Sequence, residues 1–110
     1  MVDPSDPALI PPGEVETPCL VIDHAAVRHN LACVAEAAGG IERLYPHVKT
    51  HRAPWIVADL LAQGVRAVKT ATPTEVEMVL AAGAREVLWA FPSMNVAAIK
   101  RVLAAVGEPQ

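Results

Sequence analysis

An α/β fold, with short parallel strands alternating with helices, is what this sequence predicts, on three observations. Apolar runs of strand length alternate with segments whose apolar residues recur at helical spacing. The alternation repeats roughly every 20 residues, which leaves room only for tight β/α units joined by crossovers. Aromatic residues are only 4% while alanine and valine abound. That composition suits helices packed on a sheet better than a β-sandwich, whose strands draw on aromatic residues.

The elements follow in order. Residues 1–16 are Pro-rich and acidic with no periodic pattern, and read as an extended arm. Thr17 to Asp23 gives a leading strand through Cys19-Leu20-Val21-Ile22, with Asp23 as N-cap of a helix. Val27, Leu31, Val34, Ala35 and Ala38 recur at helical spacing, and Gly39-Gly40 stops that helix. Leu44 to Lys49 reads as a strand. Pro54 to Gln63 reads as a helix with Ile56, Val57, Leu60 and Leu61 on one face, closed by Gly64. Ala67 to Ala71 is the next strand. Thr72-Pro73-Thr74-Glu75 is a helix start, with Thr72 as N-cap, Pro73 in the first turn and Glu75 reaching back as capping-box partner. Val76, Val79 and Leu80 face inward, and Gly83 ends the helix. Glu86 to Phe91 is a third strand. Ser93 caps a last helix with Val96, Ile99, Leu103 and Val106 inside. A Gly-x-x-Arg or Gly-x-Arg precedes each strand after the leading one, at Gly40 and Arg43, Gly64 and Arg66, and Gly83 and Arg85.

Composition removes several function classes. Hydrophobic residues make up 53% of the 110, so disorder is excluded, and the length admits one small domain or part of a larger one. The net charge is −3 and no Lys/Arg block exists, so neither a nucleic acid nor an anionic membrane is an expected partner. Apolar runs fall far short of the roughly 20 residues that span a bilayer. The acidic, Pro-rich start is the opposite of a signal or transit peptide, and a cytoplasmic location is expected. Cys19 and Cys33 form no C-x-x-C pattern and read as reduced, largely buried thiols. Three parallel strands leave both sheet edges and much apolar surface unpaired, so residues 17–110 are expected to be part of a larger domain.

The chemistry concentrates in Leu44-Tyr45-Pro46-His47-Val48-Lys49-Thr50-His51-Arg52. In a strand, Tyr45, His47 and Lys49 share one face while Leu44, Pro46 and Val48 pack under the helices. An imidazole and an amine then meet at the C-terminal end of a parallel strand, where such folds place their sites. Lysine can form a Schiff base with a carbonyl once part of it is unprotonated, which burial or a neighbouring cation promotes. That suits pyridoxal phosphate or a carbonyl substrate alike.

The segment Pro46-His47-Val48-Lys49-Thr50-His51-Arg52 resembles the P-H-x-K-T-H-K motif of the D-threonine aldolase and D-serine dehydratase family, pyridoxal-phosphate enzymes of the alanine-racemase fold type. The similarity extends to Thr17-Pro18 with the apolar run ending at Asp23, to Lys69-Thr70-Ala71-Thr72 with Glu75 and Glu77-Met78, and to Ala82-Gly83-Ala84 with Val87-Leu88. The resemblance implies the N-terminal portion of a (β/α)8 TIM-type barrel, about three β/α units plus the leading strand and helix. It implies that Lys49 holds pyridoxal 5'-phosphate as a Schiff base, and a lyase that cleaves or dehydrates a β-hydroxy-D-amino acid. Family members usually add a divalent metal at the substrate hydroxyl, but its ligands have no counterpart here, so no metal residue is assigned. Dimers are common in the family, which makes a homodimer an expectation. Arg52 stands where lysine is common, and Tyr45 where arginine often stands.

His47 and His51 are the local candidates for proton handling, and Thr50 and Lys69 for contact with the cofactor. Lys69, the rival amine, reads as a barrel-interior or rim lysine supporting the site electrostatically. His24 and His29 read as surface or cap residues, and Trp55, Trp89 and Phe91 as core or helix-sheet contacts, with Phe91 and the Pro92-Ser93-Met94-Asn95 turn, at a strand's C-terminal end, as an alternative lining of the pocket. A non-catalytic pyridoxal-phosphate carrier, an inactive remnant and an amino acid racemase are the alternatives. No P-loop or G-x-S-x-G is present.

Overall fold

Three consecutive extended segments, each followed by a helix, organise the chain. The computed structural model describes Gly13 and residues 16–107, so the extended arm expected over 1–16 lies almost wholly outside the described residues. The helices are α1 (His24–Ala38), α2 (Pro54–Ala62), α3 (Pro73–Ala81) and α4 (Val96–Gly107), and the strands are β1 (Val68–Thr70) and β2 (Val87–Trp89). The described residues thus form a mixed α/β structure of four α-helices and a two-stranded parallel sheet. Val68 pairs with Val87, Lys69 with Leu88 and Thr70 with Trp89.

The strand expected at Leu44 to Lys49 is only partly formed. His47 bridges in parallel to Lys69, and the Lys69 N–H donates to the Pro46 carbonyl at 2.8 Å. The segment then closes into a 3-10 turn at Val48–Thr50. Pro46 has no N–H to give a ladder, and His47 Nδ1 accepts the Lys49 N–H at 3.3 Å. A side chain that takes a backbone donor in this way competes with sheet pairing. A second 3-10 turn, Ile41–Arg43, was not expected.

The leading strand is absent. Leu20 and Val21 are exposed, and Cys19–Ile22 pairs with nothing among the described residues, which leaves a strand without the partner it needs. Asp23 keeps its role: its carboxylate accepts the Ala26 N–H at 3.0 Å. Cys19 and Cys33 are both free and exposed rather than buried, the first in this unpaired segment and the second on the outer face of α1.

The core lies between the sheet and α2 and α3. Val48, Val57, Val68, Val76 and Val79 are fully buried, with Leu31, Ile56, Leu60 and Val65 around them. Gly64 and Gly83 turn the chain back towards β1 and β2 with positive φ, a region that glycine enters without a Cβ clash. Six residues expected in the interior are outside it. Val34, Trp55 and Phe91 are exposed, and the apolar stripe of α4 shows Val96, Leu103 and Val106 to solvent. That helix packs chiefly on α3, where Arg101 pairs with Glu77, so one face is covered and the stripe is not. Trp89 is half-buried, and its indole N–H donates to the Ala71 carbonyl at 3.2 Å. The cap of α4 is Asn95, whose Oδ1 accepts the Ala98 N–H at 3.2 Å. Ser93 instead takes the Asn95 N–H at 3.1 Å, because it lies too far ahead of the first turn. No helix among the described residues is long and apolar enough to cross a membrane.

Candidate functional site

The site grows from the His47–Ala53 turn and the strand beside it. Val48 is buried completely and pins the turn to the core, while its neighbours Lys49 and Thr50 are exposed. The 3-10 geometry interrupts the strict strand alternation, yet the bridge sets His47 beside Lys69 on the sheet face that the helices leave open. On the same face Leu88, paired with Lys69, is 47% exposed. Thr50 Oγ1 reaches back towards the His47 carbonyl at 3.5 Å. His51 is half-buried, and its Nδ1 accepts the Ala53 N–H at 3.0 Å just ahead of α2.

Electrostatics tie these residues together. Burial lowers the His47 pKa below the usual imidazole range, and the ammonium groups of Lys49 and Lys69 lower it further, with Glu75 opposing. Both amines therefore act on the His47 imidazole at the strand ends. Burial also lowers the His51 pKa, again with Glu75 opposing. Both rings accept a backbone N–H at Nδ1, so in the neutral form each carries its proton on Nε2.

The arrangement includes a pair that sequence reasoning missed. Glu75 is 3% exposed. Its Oε1 accepts Arg52 Nε–H at 3.0 Å, its Oε2 accepts the Ala71 N–H at 2.8 Å, and its own N–H donates to Thr72 Oγ1 at 3.2 Å. Thr72 is the expected cap, but the reciprocal capping-box bond is not made, because the carboxylate is engaged by Ala71 and Arg52. The available signal was register: Arg52 and Glu75 follow the paired His47 and Lys69 at nearly the same offset. A cavity of about 480 Å³ lined by Arg52, Thr72, Thr74, Glu75 and Met78 opens beside the pair.

Other polar clusters lie away from Lys49. Tyr45 shares no contact with it: its hydroxyl donates to Glu86 at 3.0 Å, which raises its pKa, and Arg66 pairs with the same carboxylate. Asp59 joins α2 to α1 through Arg28 and His24, at 2.7 and 3.2 Å. An apolar groove of about 390 Å³ runs past Leu31, Val34, Leu44, Pro46 and Leu60. Among the described residues no group of three or more His, Cys, Asp or Glu side chains is set to hold a metal ion.

The donor set suits an aldehyde that carries an anionic group. An exposed primary amine is open to condensation, the His47 imidazole feels both this amine and that of Lys69, and the carboxylate of Glu75 is already satisfied by Arg52 and Ala71. Comparison with protein-family models, with curated proteins and with solved structures finds no match to this chain.

Proposed function

We propose that this chain is part of a pyridoxal-phosphate-dependent lyase acting on β-hydroxy-D-amino acids, with Lys49 as the amine that holds the cofactor. The observation that carries the reading is the juxtaposition of exposed Lys49 with His47 and Lys69 at the C-terminal ends of adjacent parallel segments. The open sheet face, with Leu88 exposed, supports a larger (β/α)8 barrel of which these β/α units form the first part. A cytoplasmic location and a homodimer belong to the same reading.

The residues divide the work as follows. Lys49 offers its amine to the cofactor aldehyde, and Lys69 supplies positive charge for the phosphate. Thr50 is a hydroxyl donor on the same turn. Pyridoxal phosphate supplies, when bound, an electron sink for carbanion chemistry at an amino acid Cα. His47 and His51, held neutral near pH 7, each keep a proton on Nε2 that can be given to an oxygen leaving the substrate. The metal that the resemblance implies has no ligand set among the described residues, and no step is assigned to it.

Borohydride reduction of the chain with pyridoxal phosphate, followed by peptide mapping, tests the assignment. Stoichiometric label at Lys49, lost in Lys49→Ala, is the expected outcome. Label scattered over Lys49, Lys69 and Lys100, or none at all, removes the reading. A site-specific label with no spectral change on adding D-threonine or D-serine points to a carrier instead of a lyase, and loss of optical activity without aldehyde or keto acid points to a racemase.

A further inference from the structure

We propose that Glu75 is the positioning residue of the Lys49 site: by holding Arg52 and the Ala71 N–H together, its buried carboxylate locks the turn that carries Lys49 and His51 onto the turn that follows β1. This deepens the proposed function and rests on it for the identity of the site, but not for the clamp itself.

Three observations carry the inference. Arg52 has φ +48° and is the one non-glycine residue with positive φ among the described residues. A side chain bearing a Cβ enters that region at a cost, and persists there only where its surroundings hold it. The group that holds it is a carboxylate with 3% exposure, and polar atoms that far from water cost free energy unless they are hydrogen-bonded. Those partners come from both turns: Arg52 Nε at 3.0 Å from one, and Ala71 N–H at 2.8 Å from the other. The two turns follow the His47 and Lys69 segments, which pair directly. One side chain therefore fixes the spacing between the Lys49 turn and the Lys69 strand end.

Glu75 also tunes what it positions. It is the carboxylate that favours the protonated form of both His47 and His51, against burial in each case and against Lys49 and Lys69 at His47. Removing its charge moves both imidazoles the same way, downwards. A purely structural role leaves those midpoints where they are.

The test uses the full chain and Glu75→Gln, which keeps shape and one acceptor but loses the charge. Circular dichroism confirms that the fold survives. Amide exchange at Lys49–Ala53 and Ala71 is expected to speed up roughly tenfold, the loss set by a charge-assisted bond, and the NMR titration midpoints of His47 and His51 fall. Formation of the reducible pyridoxal-phosphate adduct slows at Lys49 and is unchanged at Lys100. Glycine needs no help at positive φ, so adding Arg52→Gly to Glu75→Gln restores the exchange rates of the turn while the histidine midpoints stay low. Exchange within twofold of the parent chain, or unmoved histidine midpoints, overturns the proposal. Should Glu75→Gln unfold the chain, Arg52→Ala carries the exchange test of Lys49–Ala53 from an exposed side chain, and exchange there within twofold of the parent chain overturns the proposal. Absence of label at Lys49 in the parent chain removes the cofactor reading alone, since the exchange and titration results are read without cofactor.

Discussion

Val48 and Val34 are both valines that the apolar pattern sends to the interior, and the structure separates them: Val48 is 0% exposed and Val34 53%. Val48→Ala removes two methyl groups from the packed space between the His47–Ala53 turn and α2. Their transfer is worth ~1.6 kcal/mol. The space they leave adds up to about 1 kcal/mol where the surroundings do not collapse. A loss of roughly 2 to 2.5 kcal/mol is therefore expected, a large part of the stability of a domain this small. Val34→Ala, in the open groove beside Leu44, gives up half-solvated contact but gains helix propensity of a few tenths of a kcal/mol, for a net change within about 0.5 kcal/mol of zero. Urea unfolding followed by circular dichroism reads the difference. The Val48→Ala midpoint drops by about 1 M or more at an unchanged slope, and the Val34→Ala midpoint hardly moves. Equal midpoints for the two variants refute the assignment of Val48 as the anchor of the turn that presents Lys49.

Two further outcomes follow from named contacts. Asn95→Ala costs α4 about 1 kcal/mol of capping free energy, read as a lowered thermal midpoint, while Ser93→Ala costs less because its bond goes to Asn95 and not to the first turn. The pH dependence has a definite sign. His51 is held below the ordinary value of 6.5 by burial, so the unfolded chain binds the proton more readily than the folded one. Its contribution is fully present above that value and is lost as pH falls through the folded-state pKa. The urea midpoint therefore declines on acidification below about 6.5, and His51→Asn makes that decline shallower. An unchanged slope in the variant would mean that burial does not hold the His51 ring neutral.

Local chemistry was legible where it is settled within a few residues. Asp23 caps α1 and Thr72 caps α3 because a side-chain oxygen meets an N–H three positions on. The faces of α2 and α3 follow the 3.6 period, and Ile56, Val57, Leu60, Val76 and Val79 are buried as the pattern requires. Burial that depends on a partner was not legible. The same pattern marks Val96, Leu103 and Val106, but periodicity states that a stripe is apolar and not that anything covers it. Cys19-Leu20-Val21-Ile22 has strand composition and no strand beside it. Trp55 and Phe91 illustrate the converse: aromatic residues near strand and helix ends were assigned to the core on residue type, although position relative to the sheet decides.

The site divides along the same line. His47 and Lys49 could be taken from one short segment, because residues so near in sequence meet in almost any turn or strand. That Lys69 joins them depends on parallel register, which the repeated β/α spacing made readable. Glu75 depended on a longer chain of consequences. Its sequence position, three after Thr72, matches a capping box, and that local explanation accounted for the residue completely. Only the three-dimensional pairing of His47 with Lys69 brings the turn after one segment against the turn after the next, where Arg52 can compete for the carboxylate. A bond to a guanidinium joins two opposite charges, whereas a capping box sets the carboxylate against a neutral N–H. The Ala71 N–H lies on the same side, so the carboxylate takes both and leaves the Thr72 N–H without its capping-box partner. A residue whose local role is sufficient can thus hide a non-local one, and in this chain the hidden role is the one that reaches the candidate site.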